Sequence, residues 1–165
     1  MSETSGEVFN DFVDELVAAE DKRRDSIESR GMSVITVSGT LVTLLLALAA
    51  LVTKQQSFRL TAGARDLLVA AVLAFGGSAV LAIATYIPRP TRATDPNTLL
   101  AEIQQRWGKP PDSARKKTIA TRIEYLQESR RSNNWKAAIL LAAMLVQVAA
   151  LVLLALSVYS TLRVG

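Results

Sequence analysis

Three runs of this chain carry no Asp, Glu, Lys or Arg: residues 31–53, 67–88 and 137–162. A helix needs about 20 apolar residues to cross the roughly 30 Å hydrocarbon layer of a bilayer, and each run supplies that. None has the charged face that a helix packed on a soluble core keeps toward water. The pattern predicts an all-α integral membrane protein. Its transmembrane hairpin occupies 32–88, with spans at 32–53 and 67–88. A third span and a short outer tail occupy 137–165.

The segments between the spans read as amphipathic helices. Val8, Phe9, Phe12, Val13 and Leu16 recur at three- and four-residue spacing, which predicts a helix over 7–30 with one apolar face. Gly31, at the border of the first span, allows a bend or a close helix contact. The second span ends in "YIPRPTRATDP", where Pro88 and Pro90 remove backbone donors and stop the helix. Asp95-Pro96 then suits the start of a short helix with Leu99, Leu100, Ile103 and Trp107 on one side. "GKPPD" breaks that helix, and Asp112 or Ser113 caps another with Ile119, Ile123 and Leu126 as its apolar stripe. No Gly or Pro follows until the C-terminal Gly165, so one long helix running into the third span is the simplest expectation.

Charge sets the expected orientation. The segment 1–31 carries nine acids and four bases; the segment 89–136 carries eleven bases and five acids. With three crossings these two segments share a side, and that side holds fifteen of the nineteen Lys and Arg. Basic residues near membrane ends stay in the cytoplasm. The N-terminus and 89–136 are therefore expected inside, and the 54–66 loop and the C-terminus outside, in a bacterial inner membrane. The acidic start of the chain lacks a basic n-region and a cleavage site, so the first span is expected to act as an uncleaved anchor. The acidic helix of 1–31 and the basic segment 89–136 are expected to pack together.

The composition narrows the chemistry. There is no cysteine and no histidine, which removes disulfides, His/Cys zinc sites, and mechanisms built on a thiolate or an imidazole base. A protein that is not an enzyme, with no cofactor, no metal and no nucleic-acid partner, is expected. Inside the first span, Ser33, Thr36, Thr40 and Thr43 recur at spacings of 3, 4 and 3. Such a row lets helix backbones approach closely in lipid, or lines a polar lumen in a homo-oligomer. Gln147 interrupts the third span, and a buried amide is expected to face protein rather than lipid.

The order of parts is a charged helix "EDKRRDSIESRG", a membrane hairpin with a short outer loop, and a basic segment ending "ESRRSNNWKAAILLA". It resembles the Pycsar-type transmembrane effectors of bacterial antiphage defence, and its architecture is similar to that of SLATT-type membrane effectors. The resemblance implies an oligomer that disrupts the inner membrane on sensing a cyclic nucleotide, in the Pycsar case a cyclic pyrimidine monophosphate. Arginine forks bind phosphate bidentately. The candidates are Arg115, Lys117, Arg122, Arg130 and Arg131, with Lys116 beside them. Trp107 and Tyr125 are candidates for stacking on a base, as is Trp135. Juxtamembrane bases also attract anionic lipid, at about 1 kcal/mol each, with no ligand at all. The alternative function is a membrane anchor or scaffold that recruits a cytoplasmic protein.

Overall fold

The computed structural model describes residues 5–53, 62–87, 100–101, 103–105 and 111–164. Three long helices dominate: α1 (Ser5–Thr53), α2 (Ala62–Ala84) and α3 (Pro111–Val164). All three are long and apolar enough to cross a membrane. Among the described residues there is no strand. The proline break at 88–90, the Asp95-Pro96 helix start and Trp107 lie outside the described residues.

The long helices follow from the sequence. α1 runs unbroken through Gly31, so this glycine serves a close contact and not a bend. α3 begins one residue before the expected caps, with Pro111 in its first turn, where a missing N–H costs no intrahelical bond. α2 begins five residues before the predicted span and ends four residues before it closes. At its end Thr85, Tyr86 and Ile87 donate their N–H groups to Ala82, Ile83 and Ala84. These tightened i→i−3 turns precede Pro88, which disfavours α conformation at the residue before it.

The chain divides into two units, and α1 and α3 contribute to both. Unit 1 comprises 1–26 and 88–135. Here α1 and α3 run parallel, because contacts keep a nearly constant sequence offset: Glu7 with Arg115, Asp14 with Arg122, Glu20 with Arg130. The expected pairing of the acidic and basic segments is therefore present within one chain. The seam on α3 uses Ile119, Arg122, Leu126, Ser129 and Asn133, at alternating steps of three and four. That is the spacing of a coiled-coil core. The stripe expected from apolar residues alone differs from it. Val13 is buried and Leu16 half-buried, but Val8, Phe9, Phe12 and Ile123 are exposed.

Unit 2 comprises 27–87 and 136–165. Its core joins all three helices through Ile27, Val34, Ala82, Leu140 and Ala143. α2 runs antiparallel to α1: Gly31 meets Thr85, and further along α1 Ser38 meets Ser78. A methyl group on Gly31 would sit 2.9 Å from Thr85 Oγ1 and 3.4 Å from Tyr86 Cε2, so only glycine lets the helices meet this closely. The outer surface of this unit is apolar, with Leu44, Leu73, Val80, Leu145 and Val152 exposed. Water would penalise that surface, whereas hydrocarbon would not.

Candidate functional site

The polar groups of unit 1 converge on Glu20 of α1 and Asn133 of α3. Both are buried. The Asn133 amide donates to Glu20 Oε1 at 2.8 Å and to the Glu20 carbonyl at 3.2 Å, which uses both of its hydrogens. Arg23 approaches the same carboxylate oxygen at 3.4 Å, and Arg130 Nε lies 3.8 Å from the other. Arg23 also donates to Asn134 Oδ1 at 2.8 Å. Breaking the contact between a carboxylate and a buried amide is costly, since the amide would be left buried without its acceptors. A polar residue at a core position of paired helices fixes their register, at some cost in stability.

Toward the start of α1 the pairs are more exposed. Arg115 lies over Gly6 and 3.6 Å from Glu7. Arg122 pairs with Asp14 and donates to Asn10 Oδ1 at 3.1 Å. Ion pairs this exposed contribute at most about 1 kcal/mol each. They align α1 on α3 more than they stabilise it.

This arrangement decides what the phosphate candidates can do. Arg115, Arg122 and Arg130 already face carboxylates, so an anion would have to compete with Glu7, Asp14 and Glu20. Arg115 and Arg131 lie sixteen residues apart on one helix, a rise of about 24 Å at 1.5 Å per residue. The five candidates are thus strung along α3 and do not close around one phosphate. Lys117 and Arg131 are exposed. Tyr125 and Trp135 are exposed as well.

Unit 2 holds a second polar group. Lys136, 5% exposed, donates to Glu28 Oε1 at 2.8 Å. The Tyr86 hydroxyl donates to the Glu28 carbonyl. Three helices therefore meet around Glu28. Deeper in the unit, the buried hydroxyls of Ser38 and Ser78 bond at 2.9 Å, and Ser157 donates to the Ala64 carbonyl at 2.7 Å.

The hydroxyl row lies elsewhere on α1. Ser33, Thr36, Thr40 and Thr43 are exposed. Ser33, Thr40 and Thr43 donate to the carbonyls of Ser29, Thr36 and Gly39, four residues back. Contact with α2 falls instead to a face that includes Gly31, Val34 and Ser38. Gln147 is half-buried, at a seam position of α3.

Sequence reasoning gave no helix-contact role to Ser38 or Asn133, and did not pair Glu20 with Asn133 or Glu28 with Lys136. The available signal was the spacing itself. From Ile119 to Ser157 every third or fourth residue of α3 is buried or half-buried, and several of these residues are polar. Geometry therefore defines a helical protein with three helices able to span a membrane and a polar seam between the first and last. Set beside known proteins, the chain matches no described family, no curated protein and no solved structure.

Proposed function

We propose that this chain is a non-catalytic membrane effector of nucleotide-signalled antiphage defence. It crosses a bacterial inner membrane three times, with the N-terminus and 89–136 in the cytoplasm. Copies assemble through the bilayer and disrupt its integrity when a cyclic nucleotide of the class implied by the resemblance reaches the cytoplasmic unit. The observation that carries this reading is the separation of two faces on α1. Val34 and Ser38 are buried within the chain, while Thr36, Thr40 and Thr43 are exposed at the depth of the same span. A hydroxyl face not used within one copy is available to a neighbour or to a lumen.

A second reading, an anchor that recruits a cytoplasmic protein, gains support from the arginines of α3. Arg115, Arg122 and Arg130 are paired with acids of α1 and form no ready phosphate site.

The two readings separate in live cells. Bacteria expressing the protein should lose membrane potential when a cyclic pyrimidine nucleotide, or another cyclic nucleotide, is supplied, and should keep it otherwise. Unchanged potential with every nucleotide tested, in cells whose membranes contain the protein, would leave only the anchor.

A further inference from the structure

The bilayer imposes one orientation on every copy of a membrane protein, so neighbouring copies present unit 1 side by side with their helices parallel; this inference rests on the membrane reading above. In unit 1, α1 and α3 form a parallel pair, and such a pair has two edges. The residues just before the α1 seam positions Asn10 and Val17 are Phe9 and Leu16. In a parallel pair they border the same edge as residues just after the facing seam positions of the partner helix. On α3 these are Lys116, after Arg115, and Ile123, after Arg122.

The two edges differ in chemistry. One carries Glu7 and Asp14 and is occupied by their arginine pairs. The other carries Phe9 at 64% exposure and Ile123 at 40%, with Phe12 at 56% beside them and exposed Lys116 alongside. Aromatic side chains this exposed mark an interaction surface when they cluster. The edge is also self-complementary. Its α1 side offers phenyl faces bordered by the exposed carboxylate of Glu15, one turn beyond Phe12. Its α3 side offers an ammonium and an aliphatic side chain. An ammonium attracts both a carboxylate and the face of a phenyl ring.

We infer that this edge is covered by the same edge of a second copy, with α1 of each copy against α3 of the other. A contact in which one patch meets itself closes as a two-fold dimer. In a shared bilayer the copies lie at equal depth. The 108-residue offset between Asp14 and Arg122 then brings Phe12 of one copy level with Ala120 of the next.

The chain has no cysteine, so placed thiols report without background. Full-length copies carrying only Phe12→Cys are co-expressed with differently tagged copies carrying only Ala120→Cys, and membranes are oxidised mildly. A disulfide joining the two tags is expected. Adding Lys116→Glu sets a carboxylate against Glu15 and the phenyl faces and should lower its yield about tenfold, with helix content unchanged by circular dichroism. Absence of the mixed disulfide, or a yield indifferent to Lys116→Glu, would overturn the contact. So would efficient closure within one chain of a Phe12→Cys, Ile103→Cys double variant in place of the mixed bond. In that case the chain's own 100–105 segment covers the edge. Disulfide yield does not report membrane leak. Leak without this bond would remove the contact and spare the effector reading, and the bond without leak would do the reverse.

Discussion

Lys136→Met should destabilise the protein by about 3–5 kcal/mol, the usual cost of removing one partner from a buried ion pair. The Lys136 side chain is 7% exposed and holds Glu28, whose side chain is 25% exposed, at 2.8 Å. Without the ammonium, a largely buried carboxylate loses the donor held 2.8 Å from its Oε1. The cost should be nearly absent in the double variant Glu28→Leu, Lys136→Met, because replacing a whole buried pair by apolar side chains is often neutral. Thermal unfolding of the detergent-solubilised protein, followed by circular dichroism, checks both variants. A double variant as unstable as the sum of its two singles would show that Glu28 and Lys136 act independently.

Thr40→Lys should have the second large effect, and its sign separates packing from a pore. Thr40 is exposed on α1 and donates to the Thr36 carbonyl at 2.9 Å. A lysine at the centre of a span costs about 2.5–3.5 kcal/mol when it faces hydrocarbon or a dry helix contact. Facing a water-filled lumen it keeps its hydration, and a ring of such charges alters ion selectivity. The effector reading therefore expects Thr40→Lys protein to assemble in detergent at near wild-type yield. Its conductance in planar bilayers should shift toward anions. Failure to assemble would place the row in hydrocarbon or in a dry contact between helices and would exclude a water-filled lumen.

Parts of this architecture were legible in the sequence for definite reasons. Span-length uncharged runs have few stable environments other than lipid, so three long apolar helices could be read directly. Opposite net charge on 1–31 and 89–136 indicated that they pack together, and the parallel ladder Glu7–Arg115, Asp14–Arg122 does so. The absence of Gly and Pro between Pro111 and the C-terminal Gly165 indicated the single long α3. The faces were less legible. Phe9, Phe12 and Ile123 looked like core because they are apolar, yet the seam passes between them and takes Glu20, Ser129 and Asn133 instead. Hydropathy discards polar residues, so it misses a core whose register is held by an amide and a carboxylate. The same bias affected α1 in unit 2. Four regularly spaced hydroxyls stood out, while the residues that face α2 include Gly31, Val34 and one serine, Ser38, all outside that row. The phosphate candidates were chosen by charge alone, and sequence could not reveal that three of them are held by acids on α1.

Every functional statement above depends on a chain that crosses the bilayer three times with both segments of unit 1 inside. Single cysteines at Ser57 and Ser113, in an otherwise cysteine-free chain, test this with a membrane-impermeant maleimide on intact cells whose outer membrane has been made permeable. The account predicts that Ser57→Cys is labelled at once, and that Ser113→Cys is labelled only after the inner membrane is opened. Labelling of Ser113→Cys in intact cells, or equal labelling of the two positions, would contradict it.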